Sequence, residues 1–98
     1  MNIIDNIKFQ EDKPAVLQIK NSDKQQIIAI GLKKNQVLKK HVSATPALIV
    51  VLKGKILFEM EGNATELTEM ETFDIPPTVP HEVSGIEESV FLLVKDKP

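Results

Sequence analysis

Short apolar stretches separated by turn-forming residues run the length of the chain, a spacing that predicts many short strands rather than helices. Val16 to Lys20 gives way at Asn21-Ser22-Asp23, and Gln26 to Leu32 then runs to Lys33-Lys34-Asn35. Val37 to Val42 forms a third stretch. Ala47 to Leu52 is apolar at every position, which predicts a central strand covered on both faces. Lys53-Gly54-Lys55 reads as a tight reversal into Ile56 to Glu61, where Ile56, Phe58 and Met60 share a face by the two-residue period. Gly62-Asn63 closes that strand.

In Ala64 to Thr72, Leu67 and Met70 begin a three-residue spacing that Phe73 continues, but a short strand and a turn fit better. Pro76, Pro77 and Pro80 fix φ and remove backbone donors, so Ile75 to His81 is expected to be a stiff loop or edge segment. Glu82 to Gly85 follows, and Val90 to Val94 supplies the last strand. About eight to ten strands with no linker or repeat predict one all-β domain spanning residues 1–98.

Composition narrows the function classes. The chain has 98 residues, 42% hydrophobic and 27% charged, which is ordinary for a folded domain. A net charge of −2 gives no electrostatic reason to bind nucleic acid. All 12 basic residues are lysines, so no guanidinium fork is available for carboxylates or phosphates. The absence of cysteine excludes disulfides, thiolate nucleophiles and cysteine-based zinc sites. The N-terminal residues lack a signal-peptide pattern, and Ala47 to Leu52 falls far short of the roughly 20 residues of a spanning helix. These features predict a soluble cytoplasmic protein with no membrane partner.

The two histidines, His41 and His81, stand at the end and the start of predicted strands. On facing strands of a barrel they would point into one cavity, and imidazole is a common ligand of zinc, copper, nickel and iron. Ser43, two residues after His41, would share its strand face, but with no acidic orienter in view the pair does not make a hydrolase triad. Glu59 alternates with Phe58 and Met60 on a predicted solvent face, and Glu71 and Glu82 lie in or beside turns. Thr45 and Gln36 are further polar residues near the candidate site, while Lys39 and Lys40 are expected in solvent. With no Trp or Tyr, stacking platforms are scarce, and Phe58, Phe73 and Phe91 are expected to line core or pocket.

Around these histidines, Gly54 to Gly62, Leu67 and Phe73 to His81 resemble the heart of a cupin, the likeness covering about residues 28 to 95. The first cupin motif, G-x5-H-x-H-x3-4-E-x6-G, falls on Asn35, His41, Ser43, Ala47 and Gly54. The second, G-x5-P-x-G-x2-H-x3-N, falls on Met70, Pro76, Thr78, His81 and Gly85. The resemblance implies a single-domain cupin β-barrel of the double-stranded β-helix or jelly-roll type, a pocket at its mouth and frequent homodimers. It implies a metal held by three histidines and a glutamate, of which only His41 and His81 are present; Ser43 is a weak neutral ligand and Ala47 has no donor atom. Asn35 suits a turn, whereas Met70 and Thr78 are awkward replacements for turn glycines.

The expected ligand pocket is therefore His41, Ser43, Ala47, Phe58 and His81, with an incomplete site for a divalent Zn, Ni, Cu, Fe or Mn ion at His41 and His81. The favoured function is small-molecule binding without catalysis. A metal-dependent dioxygenase or isomerase using the two histidines is the main alternative, and a structural dimerisation module is the other.

Overall fold

The computed structural model describes all residues 1–98. Nine antiparallel strands form two sheets, with a single helical turn, α1 (Ile3–Asn6), before them. The strands are β1 (Ala15–Asn21), β2 (Gln25–Leu32), β3 (Val37–His41), β4 (Ala47–Lys53), β5 (Lys55–Met60), β6 (Asn63–Thr68), β7 (Thr72–Ile75), β8 (His81–Gly85) and β9 (Ser89–Asp96). One sheet runs β1-β2-β9-β4-β7 and the other β3-β8-β5-β6. No helix is long and apolar enough to cross a membrane.

The period-two pattern decides which side chains meet between the sheets. Ile30, Leu32, Ile49, Val51, Phe91 and Leu93 project from the larger sheet against Ile56, Phe58, Leu67 and Val83 of the smaller one. Each is almost fully buried, and Ile28, Leu38, Met60 and Phe73 pack at the margin of this core. Phe91 is core, and Phe58 and Phe73 are in ring contact, 4.7 Å between centroids.

One expectation is corrected. Ala47 to Leu52 is not covered on both faces: β4 alternates, with Ala47, Ile49 and Val51 buried and Leu48 and Val50 only half-buried. Its unbroken apolar run reflects a middle place in the sheet rather than two packed layers. The N-terminal residues, unassigned from the sequence, form α1, with the Asn2 side chain accepting from the Asp5 backbone N–H at 2.9 Å. Ile3, Ile7 and Phe9 then cover part of the outer face of the larger sheet around Ala29 and Val90.

The turn positions keep glycine-like geometry where glycine is missing. Asn35, Met70 and Thr78 adopt φ of 71°, 68° and 66°, conformations that ordinary side chains resist. The awkward residues are thus accommodated by strain, not by a rebuilt backbone.

Candidate functional site

His41 and His81 are direct cross-strand partners on β3 and β8, adjacent strands of the smaller sheet rather than facing ones. A register irregularity between Leu38 and His41 makes this possible. Leu38 packs toward the core, so strict alternation would turn Lys40 inward and His41 to solvent. The extra residue shifts the parity, and His41 points in while Lys39 and Lys40 remain exposed.

The two Nε2 atoms lie 3.0 Å apart. The rings meet edge to face at 4.2 Å, and the Phe58 ring stacks against His81 at 5.7 Å. His81 is 2% exposed, whereas His41 is partly open to solvent. Each ring is fixed by its other nitrogen: His41 Nδ1 is 3.0 Å from the Lys39 carbonyl oxygen, and His81 Nδ1 is 3.0 Å from the Val79 carbonyl oxygen. The Val79 carbonyl belongs to the proline-rich loop, which Thr78 anchors by donating its backbone N–H to the Ser43 carbonyl at 2.8 Å.

These contacts set a proton count. A carbonyl oxygen only accepts, so each Nδ1 must carry hydrogen to bond it. The Nε2 to Nε2 contact needs a third N–H, yet two neutral imidazoles carry only two. Uptake of a third proton would supply that hydrogen and charge the pair. Burial pushes His81 below the ordinary histidine value, the Val79 hydrogen bond works against this, and His41 and Lys95 add to the lowering.

The lowered His81 value has a consequence for stability. The unfolded chain binds a proton at His81 more readily than the folded one, so its contribution is intact above the unfolded value of 6.5 and is lost as pH falls below it. Thermal melts are expected to show a lower Tm at about pH 5 than at pH 7.5, with a smaller drop in His81→Gln. Equal drops in both proteins would refute the assignment to His81.

The remaining candidates fall elsewhere. Ser43 lies beyond the end of β3, so it does not share a strand face with His41; its hydroxyl is 3.4 Å from that of Thr45. It borders a separate surface hollow of about 190 Å³ with Gln26, Thr45 and Lys95. Ala47 is a buried member of the core, its methyl supplying no donor. A larger hollow of about 270 Å³ is lined by Lys40, Glu59, Glu61 and Glu82, on the side of β5 and β8 opposite Phe58 and His81. His41, Phe58 and His81 thus form one cluster, and neither Ser43 nor Ala47 completes it. Glu71 closes a turn by accepting from the Thr68 backbone N–H and hydroxyl at 2.7 and 2.8 Å, which holds its carboxyl below the usual range. Gln36 fastens the N-terminal segment through the Gln10 and Lys13 carbonyls.

The residues present do not fit the four-donor metal centre that the cupin motifs describe. The Ser43 hydroxyl turns to Thr45, Ala47 is apolar, and no group of three or more His, Cys, Asp or Glu side chains converges anywhere in the molecule.

No family model matches the sequence, and no curated protein matches it. Solved structures do. A cupin superfamily protein from Desulfitobacterium hafniense superposes with a TM-score of 0.92 at 14% identity, over 100% of this chain and 90% of that one. A conserved protein of unknown function from Streptococcus pyogenes gives 0.89 at 21% identity, over 100% and 86%. KdgF from a Halomonas species gives 0.86 at 15% identity, over 100% and 91%. With its two antiparallel sheets, its motif spacing and these superpositions over its full length, the chain has the cupin fold.

Proposed function

We propose that this cupin-fold chain is a small-molecule binding protein whose polar anchor is the His41–His81 pair. The observation that carries the reading is the geometry of the pair: each Nδ1 lies 3.0 Å from a backbone carbonyl oxygen, and the two Nε2 atoms lie 3.0 Å from each other. A ligand hydroxyl or ammonium group that reaches the Nε2 edge of the pair would hydrogen-bond an imidazole there. Access is from the His41 side, because His41 is the more exposed ring.

The test is a fragment screen of small amines and alcohols read by NMR on histidine-labelled protein. Hits are expected to move the ring signals of both histidines together and to lose affinity at least about tenfold in His41→Ala, a change of about 1.4 kcal/mol. Hits that leave both rings unmoved would sink the reading. Elemental mass spectrometry of untagged protein accompanies the screen. Stoichiometric metal lost in both His41→Ala and His81→Ala would replace this reading with a metal-dependent one.

A further inference from the structure

The inward face of the larger sheet changes character from one row of side chains to the next. Strand pairing aligns Ile28, Leu93, Ile49 and Phe73 in one row, all apolar and packed in the core or at its margin. The neighbouring inward row is Gln26, Lys95, Ala47 and Ile75. Directly paired residues share a side, and Ala47 and Ile75 belong to the core, so Lys95 also lies on the inward side. It is partly buried, yet it takes part in neither of the molecule's ion pairs, Lys33 with Glu11 and Lys53 with Glu88. Its paired neighbours Gln26 and Ala47 carry no charge, and its own charge opposes protonation of His81 on the other sheet. A lysine withdrawn from water ordinarily has an anionic partner, and the chain supplies none to this one.

We propose that the hollow of about 190 Å³ beside Lys95 binds a small carboxylate, with the Lys95 ammonium as its counter-charge and the Ser43 hydroxyl and Gln26 amide as further donors. These donors have hydrogens to give. Thr45 donates its hydroxyl to the Asp96 carbonyl oxygen and its backbone N–H to Ser43 Oγ at 3.3 Å. The Ser43 hydrogen then has only Thr45 Oγ1 to address, at 3.4 Å, which is long for a bond between hydroxyls. Gln26 Nε2 uses one hydrogen on Gln18 Oε1 at 3.3 Å and keeps a second. Asp96 is the one acidic residue lining the hollow; it follows Lys95 in β9, and alternation turns its carboxylate to the other face. Lys97 stands at the rim with its ammonium tied to Asn21 Oδ1. One unpaired ammonium matches the single charge of a carboxylate better than the higher charge of a phosphate. Neither histidine lines this hollow, so the inference does not rest on the reading of the His41–His81 pair.

NMR titrations at fixed ionic strength test this, with acetate and its uncharged isostere acetamide as the probes. Acetate is expected to shift the backbone amide signals of Lys95 and Ser43 saturably, with a Kd on the order of 1–10 mM, and acetamide to bind at least about tenfold more weakly. Lys95→Gln removes the charge and is expected to weaken acetate binding about tenfold or more, whereas Lys97→Gln changes it by less than about threefold. Ser43→Ala is expected to weaken it about threefold. The comparison of acetate with acetamide uses the wild-type chain, so the inference stays testable even if circular dichroism shows that Lys95→Gln does not fold. Shifts that do not saturate by about 100 mM acetate, acetamide equal to acetate, an affinity unchanged in folded Lys95→Gln, or inorganic phosphate binding more tightly than acetate would each overturn it.

Discussion

Phe58→Ala is expected to lower the unfolding free energy by about 3–5 kcal/mol, the usual range for removing a buried aromatic ring from a packed core. Phe58 is 1% exposed and lies between the sheets, with Phe73 at 4.7 Å on one side and His81 at 5.7 Å on another. Its removal leaves a void that a sandwich braced by two hydrogen-bonded sheets cannot easily collapse. A domain of this size is stable by only about 5–15 kcal/mol, so the loss is a large part of the whole. Denaturant melts should show it directly, and the Tm should fall by about 12 °C or more. Phe58→Leu, which keeps most of the volume, is expected to cost less than about 1.5 kcal/mol. A loss below about 1 kcal/mol in Phe58→Ala would mean that the ring is not the keystone of this core.

Phe58→Ala also reports on the histidine pair, because the ring is the floor on which His81 rests. If the floor fixes the imidazole, the histidine signals should broaden in the variant even at temperatures where it remains folded. That links core packing to the site: the same residue that fills the sandwich also positions its polar group.

The strands were largely legible in the sequence because β structure shows itself as alternation bounded by turn residues, and Ile56 to Glu61 displays both. The positions of His41 and His81 followed from motif spacing. Their contact did not, because it depends on the irregularity after Leu38, a one-residue change of parity that no hydropathy pattern records. The same blindness misplaced Ser43: extending the strand to Val42 put it on the face of His41, whereas β3 stops at His41. The strain at Met70 and Thr78 was visible as an awkward fit to the motif, and the direction of its resolution was not. α1 has only four residues, too few for a helical period to emerge. The unbroken apolar run of Ala47 to Leu52 suggested cover on both faces, because a strand in the middle of a sheet can be apolar throughout while its outer positions, Leu48 and Val50, stay half-buried.

Gly54→Ala is expected to destabilise by about 2–4 kcal/mol, well beyond the same change at Gly62. Both glycines have φ of +78°, so both substitutions incur the strain of a left-handed residue, about 1–2 kcal/mol. Their surroundings differ. At Gly62 an added Cβ meets nothing within 4 Å, but at Gly54 it would sit 2.2 Å from the Glu88 carbonyl oxygen and 2.7 Å from Ser89 Oγ. Ser89 is fully buried and knits the turn together: its hydroxyl lies 2.9 and 2.7 Å from the Lys55 and Glu87 carbonyl oxygens, which share its one hydrogen, and accepts from the Lys55 backbone N–H at 3.1 Å. Relieving the overlap therefore means moving backbone or breaking a buried polar network, since no flexible side-chain tip is there to give way. Parallel urea melts of the two variants isolate the steric part from the conformational part, because the φ strain cancels in the difference. Equal losses at the two sites would show that the turn beside Ser89 yields freely. A larger loss at Gly54 would identify the close approach of the β4–β5 turn to the start of β9 as the reason that position tolerates only glycine.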